Sequence, residues 1–539
     1  MKTLQKGLSV SLAVALMSTA LLACSTDSAD EPKPAPQSED GGANGGESSA
    51  EGALLNKEGF PIVNEPISLK IFARKAPPNG PYEDMLMFKE YEKMTGIDIV
   101  WEDVPDEGFA ERKNLLFASN ELPDALYKAG ITPLEAIRYG SSGMLVPLEE
   151  LLESYAPNIT ALFDQYPEIR ASITAPDGHI YALPAILTLG AARTNKHWMN
   201  MAWLDAVGME VPETHEDVIE VLRAFRDGDP NGNGRQDEIP LSTWNLPDLI
   251  NSMSGSFGLQ SQMGYRINID NDKVDLWLED DRFKQLLEFL HQLYSEKLVD
   301  QELLTHTGAD YVAKMGEGSL GYFFNQASDP FVNRKEDYAG IAPFVGPNGD
   351  RMVNGSPVAR DFGTFAITSV NKYPEATMRW IDYFFSEEGS IFMRYGIEGE
   401  TFDFQPDGKP EYTEAVLTDP RGTGVTIGQF TPWPGGGSPQ YVNVNNASAI
   451  NPPEVQAAQE ALDPYLPEKI YGAPMFDEQT AKEVNTLRQD IDAFVDESAA
   501  KFVTGALSFD KWGEYVDTLK KMNLEQLQKF YQDAYDKTK

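Results

Sequence analysis

Between Asp227 and Pro240 the chain reads DGDPNGNGRQDEIP, with oxygen-bearing side chains at every second position: Asp227, Asp229, Asn231 and Asn233. Asp237 and Glu238 close the segment. A hard divalent cation such as calcium takes six to eight oxygens at about 2.3–2.6 Å, which a short loop supplies only by curling around the ion. Gly232 and Gly234 permit such a curl. Two registers fit. Starting at Asp227, the loop follows the twelve-residue EF-hand pattern with Gly232 sixth and Glu238 twelfth. Starting at Asp229, Gly234 is sixth, Arg235 offers its carbonyl at the seventh position, and Asp237 and Glu238 are the late ligands. A polar turn rich in Asp and Asn, with no ion, is the alternative. The preceding Glu216–Arg226 carries Val218, Ile219, Val221, Leu222 and Phe225 at helical spacing. The loop therefore leaves a helix end, and calcium there would brace the fold rather than do chemistry.

A second set of residues suits sugars, which present apolar C–H faces between hydroxyls and so pair with open aromatic faces flanked by amides and carboxylates. Trp198 and Trp244 stand at segment edges beside His197 and Asn245, whereas Trp203 continues into LDAVG and reads as core. Trp433 lies in FTPWPGGGSPQYVNVNN between two prolines and ahead of three glycines, a setting for a binding loop or for a plug folded onto the domain. Arg360 and Asp361 precede the strand-like FGTFAIT, where they would hydrogen-bond hydroxyls at a hinge or pair locally. Glu398 and Glu400 share a glycine-rich turn, YGIEGETF. Glycoside hydrolysis needs two carboxyl groups facing across a cleft at about 5–9.5 Å, and an acidic chain offers many chance pairs. No nucleophile elbow, P-loop or HExxH motif occurs, and His179, His197, His215, His291 and His306 show no ligand spacing.

The 539 residues suffice for two or more domains. A net charge of −40, from 84 acidic against 44 basic side chains, disfavours nucleic acid and anionic lipid as partners. Cys24 is the single cysteine, which excludes an intramolecular disulfide. It ends LLAC, after Lys2, Lys6 and an apolar run from Leu8 to Ala23 that is short for a membrane span. The ending resembles the bacterial lipobox, which implies a signal peptide over 1–23 and lipidation of Cys24; a plain secretory signal is the alternative. Residues 24–60 begin with a Ser, Gly, Pro and acid-rich stretch that buries too little surface to fold and reads as a tether.

Order begins near Pro66. Strands are expected at Ile67–Ala73, Ile97–Val104 and Ala125–Tyr127, with helices at Tyr82–Met94 and Glu107–Ala118 between them. This alternation predicts an α/β fold with a mostly parallel sheet. Ligands gather at the carboxyl ends of such strands, which brings forward Arg74, Asp124 and Tyr127. Amphipathic stretches such as Glu478–Phe494 and Phe509–Leu519 read as packed helices.

ASNELPDALY, GMLVPLEELLESYAPNI (Gly143–Ile159), PDGHIYALP (Pro176–Pro184) and the Asn195–Ser242 segment resemble the landmarks of large bacterial extracellular solute-binding proteins. RWIDYFFSEEG, YGIEGE and AAKFVTGALSFDKWGEYVDTLKKMNL extend the resemblance through the C-terminal half. It points to the oligosaccharide-binding lipoproteins of ABC transporters, including the alginate-oligosaccharide-binding type. That resemblance implies a two-lobed, type II periplasmic-binding-protein-like fold with a hinge and a helical C-terminal region. Lobe one would hold 61–190 and about 337–390; lobe two would hold about 191–336 and 391–539. It also implies the second calcium register, with Asp229, Asn231, Asn233, Arg235, Asp237 and Glu238 as ligands.

The function expected is a binding protein rather than an enzyme: a monomer, lipid-anchored at the outer face of the cell membrane, capturing an oligosaccharide by hinge closure for an ABC permease. Trp433, Trp198, Trp244, Arg360, Asp361, Tyr127, Arg74, Asn245 and Glu398 are the candidate ligand contacts. A secreted, calcium-braced polysaccharide-degrading enzyme is the rival, and an adhesion or sensor-coupled receptor is a third reading.

Overall fold

The computed structural model describes residues 55–190, 194–262, 265–326, 335–447, 453–472 and 475–537. Cys24 and most of the tether lie outside them. In chain order the strands are β1 (Ile67–Lys75), β2 (Ile97–Pro105), β3 (Ala125–Tyr127), β4 (Leu183–Leu187), β5 (Lys196–Asn200), β6 (Ile239–Ser242), β7 (Ser261–Gln262), β8 (Tyr265–Asp270), β9 (Lys273–Leu276), β10 (Leu320–Asn325), β11 (Tyr338–Ile341), β12 (Ala359–Ile367), β13 (Phe402–Phe404), β14 (Pro410–Tyr412) and β15 (Tyr441–Val442). Two sheets carry the fold, a six-stranded one ordered β15-β4-β12-β3-β1-β2 and a four-stranded one ordered β11-β5-β10-β6.

Local sequence explains the layering. The strands β4, β5 and β3 are buried at every residue, as expected for strands covered on both faces. By contrast, β2 ends its sheet and exposes Asp98 and Val100, with Glu102 paired to Lys70 and Arg112. Where one helix was expected over Tyr82–Met94, a 3-10 turn at Tyr82–Asp84 precedes a helix at Leu86–Thr95, which Gly96 ends with φ 76°. Thr214 and Asp217 form a capping box at the start of helix His215–Asp227.

Strand directions fix where the sheets meet. In the first sheet β1 runs parallel to β2 and β3, and β12 runs antiparallel to β3 and β4. Lys75, Tyr127, Leu187 and the start of β12 therefore share one edge. In the second, β6 is parallel to β10 and both β10 and β11 are antiparallel to β5. Ser242, Asn325, Ile341 and the start of β5 thus share its carboxyl edge. The chain passes between the sheets from β4 to β5, from β11 to β12, and after β15. The first two of these passes join carboxyl edge to carboxyl edge, so the two lobes face each other across them. Residues 51–539 form one compact unit.

The first lobe packs around Ile71, Phe88, Tyr127, Phe365 and Trp380, and the second around Trp203, Phe225, Trp277, Phe283 and Phe502. Helices Glu478–Thr504, Trp512–Lys521 and Leu524–Asp536 contribute to the second core. Two segments lie on the other side of the divide from the sequence expectation. Tyr338–Ile341 pairs with β5, where the Tyr338 ring meets Phe323. Tyr441–Val442 pairs with β4, and Met393 packs in the first core.

Candidate functional site

The facing edges gather polar side chains from both sheets and from the passes between them. A cavity of about 210 Å³ is lined by Asn195, His197, Asp248, Asn251 and Ser252 of the second lobe, by Asn354 and Ser356 of the β11–β12 pass and by Arg360 at the start of β12. Asn245 caps helix Leu246–Ser254 through the Asp248 N–H, and this helix aims Asp248 and Asn251 at the cavity. Asn195 Nδ2 donates to Asp248 Oδ1 at 2.9 Å, and Thr243 donates to the other carboxylate oxygen. Burial raises the Asp248 pKa against those bonds. Burial also drives the His197 ring down to about 3, so it stays neutral, with Nδ1 2.6 Å from the Tyr322 hydroxyl. Arg360 Nη1 donates to Ser356 Oγ at 2.9 Å. One cation and one carboxylate line the cavity, a balance suited to hydroxyls.

A backbone irregularity presents Arg360 and Asp361. The β12–β4 pairing shifts register between Arg360 and Phe365, Asp361 adopts φ 48° and Gly363 adopts φ 74°. A Cβ on Gly363 would stand 2.0 Å from the Ile131 carbonyl oxygen, so only glycine fits. Such bulges bend a strand and re-aim its side chains.

Trp433 forms a second surface, beyond the carboxyl end of β1. It lines an open cavity of about 400 Å³ with Pro78, Gly422, Val425 and Pro434. It is half-buried, and the Arg394 guanidinium lies 4.6 Å from its ring centre. Trp244 follows β6 at the carboxyl edge of the second sheet. It is 38% exposed and meets Tyr311 edge-on at 5.2 Å.

The other expected contacts fare differently. Trp198 is fully buried in the middle of β5, and its indole N–H donates to the Asn325 carbonyl, so it offers no open face. Tyr127 is fully buried too, with its hydroxyl on Met393 sulfur at 3.7 Å. Arg74 is tied to Asp106 and to the Gly435 and Gly436 carbonyls, so it holds the Trp433 loop. Asp124 accepts from the Lys70 N–H, at the opposite end of β3 from the cleft. Glu398 is exposed beside the β13–β14 hairpin and lines none of these cavities. Sequence reasoning missed Asn195, Asp248, Asn251 and Asn354, which no motif marks.

In the Asp227–Pro240 loop, Asp227 ends its helix and pairs with Arg226, both bonds at 2.7 Å. Asp229, at φ 48°, turns inward and accepts from the Asn233 and Gly234 N–H groups at 3.1 and 3.0 Å. Asn231 and Asn233 donate their amides to Asp237, and Arg235 N–H donates to Asn233 Oδ1. Both Glu238 carboxylate oxygens are buried without a side-chain partner, and burial together with the Asp237 and Asp229 charges raises its pKa against the nearby Glu238 and Asn231 N–H groups. Among the described residues no three acidic, His or Cys side chains converge as a ready metal site. The buried Glu238 carboxylate, with no cationic side chain on it, fits a cation all the same.

Comparisons with known proteins agree with this architecture. The fructooligosaccharide ABC transporter substrate-binding protein FusA of Streptococcus pneumoniae is 34% identical over 354 residues, 63% of this chain and 65% of the relative. The chain's match thus spans just under two thirds of that relative's length. The structure of FusA in complex with kestose aligns with a TM-score of 0.69 at 26% identity, covering 87% of this chain and 99% of FusA, and a structure of a FusA EF-hand mutant aligns equally well. An HMO-binding, ABC-transporter-associated solute-binding protein of Bifidobacterium longum infantis shares the fold with a TM-score of 0.74 at 22% identity over 88% of this chain and 99% of its own. The family description "bacterial extracellular solute-binding protein" matches residues 77–391. That match covers more than half of the chain and takes in most of both sheets, so the chain belongs to the bacterial extracellular solute-binding protein family.

Proposed function

We propose that this protein captures an oligosaccharide outside the cell, between the facing edges of its lobes, and delivers it to an ABC permease. The polar cavity walled by Asn195, Asp248 and Asn251 on one side and Asn354 and Arg360 on the other carries this reading. Its walls belong to different lobes and passes, so a ligand there favours the conformation in which both make contact. Trp244 and Trp433 supply stacking surfaces at the two edges. The likeness to FusA makes fructooligosaccharides such as kestose the first ligands to try. Lobe one would comprise about 55–190 and 359–442, and lobe two about 194–341 and 453–537.

Calcium would sit in the Asp229 register, held by Asp229, Asn231, Asn233, the Arg235 carbonyl, Asp237 and Glu238. The inward Asp229 and the buried Glu238, which has no side-chain partner, support this, while Asp227 is engaged with Arg226. The amides of Asn231 and Asn233 would rotate to present oxygen. Such an ion stabilises the second lobe and takes no part in chemistry. Cys24 would carry the lipid that keeps the protein at the membrane.

A thermal-shift screen of oligosaccharides tests the reading. A ligand at 100 times its dissociation constant adds about 2.7 kcal/mol of stability. No shift with fructo-, alginate, galacturonan or milk oligosaccharides would overturn it.

A further inference from the structure

The turn that carries Trp433 is tied to lobe one by two cations, the buried Lys128 and the partly buried Arg74. Lys128 follows β3 in a left-handed conformation, φ 53°, unusual for a long side chain. Its ammonium is fully buried and donates to Pro432 O at 2.6 Å, Asn79 Oδ1 at 3.1 Å and Pro434 O at 3.2 Å. An ammonium has three N–H donors, and here three acceptors meet them, two of them the carbonyls that bracket Trp433. Gly435 and Gly436 adopt φ 83° and 73°, so the loop lies flat enough for their carbonyls to reach Arg74.

We propose that Lys128 is a positioning residue for ligand binding, which sets the Trp433 loop through its three ammonium donors and releases it on losing a proton. This rests on the reading of Trp433 as a ligand contact. Burial lowers the Lys128 pKa to about 7, with the Arg74 charge lowering it further and Asp106 raising it. The sign follows: below about pH 7 the amine is charged and meets all three acceptors; above it two donors face three acceptors, with a lone pair turned to a carbonyl. Arg74, Asp106, Arg394 and Arg421, the last paired with Asp419, are charged side chains facing the loop, and Tyr412, in the cluster against which Trp433 packs, is held neutral by burial.

Acrylamide quenching of Trp433, read as the difference between wild type and Trp433→Phe, tests the proposal between pH 5.5 and 9. Quenching should rise severalfold through a midpoint near 7 in the wild type. In Lys128→Arg, charged throughout, it should stay near the low-pH value; in Lys128→Met it should be high at every pH. The same midpoint surviving in Lys128→Arg, or a flat wild-type profile, would overturn the proposal. If Lys128→Met does not fold, Lys128→Arg alone decides. Kestose titration at pH 6 and 8.5 separates the two readings. Unchanged affinity with pH-dependent quenching would leave Lys128 as the loop's clamp and remove Trp433 from the ligand site.

Discussion

At the scale of single residues, the proposed capture rests on stacking against Trp433 and Trp244 and on hydrogen bonding to sugar hydroxyls. Trp433→Ala should weaken oligosaccharide binding about tenfold or more, since burying an aromatic face contributes on the order of 1–3 kcal/mol and 1.4 kcal/mol is a factor of ten. Calorimetric titration checks this; wild-type affinity in the mutant would make Trp433 a packing residue. Trp244→Ala should cost a similar factor with little change in melting temperature, because the ring is 38% exposed and rests on Tyr311. Loop composition marked Trp433 correctly as neither helix nor core strand. It did not distinguish Trp198 from Trp244, which have similar neighbours in sequence. Their exposure differs because Trp198 sits mid-strand between β10 and β11, while Trp244 falls past the end of β6. The amides of the hinge-side cavity carry no local signal, since strand direction alone brings them together.

At the scale of elements, the Asp227–Pro240 segment was legible as a loop leaving a helix end, because alternating Asp and Asn with glycines is a local pattern that needs no tertiary information. Chelator should lower the melting temperature, with recovery on adding calcium rather than magnesium; Asp229→Ala should abolish the response. A melting curve indifferent to chelator and calcium would leave the segment a polar turn. The irregularity in β12 was not legible, because FGTFAIT reads as an ordinary strand and the shift depends on the close approach of Ile131 to Gly363. Gly363→Ala should destabilise the first lobe by at least about 1–3 kcal/mol, from a strained backbone angle and the backbone collision. Urea unfolding measures it; wild-type stability would show that β12 relaxes freely there.

For the whole molecule, the order of strands and helices conveyed the α/β class and the resemblance conveyed two lobes. The pairing of β11 with β5 and of β15 with β4 was not legible, because both are short and apolar and look alike in either sheet. Anchoring belongs to this scale. Cys24→Ala should release protein into the medium or leave it unprocessed, and unchanged membrane partition without N-terminal lipid would contradict it. The central claim is capture without chemistry, and one titration tests it most directly. Kestose, followed by alginate and galacturonan oligosaccharides, is injected into the calcium-loaded protein in a calorimeter. The expected result for at least one sugar is a saturable heat at one ligand per chain, with a flat baseline once the site is full. A continuing heat of turnover, or no binding heat from any of these sugars, would contradict the account.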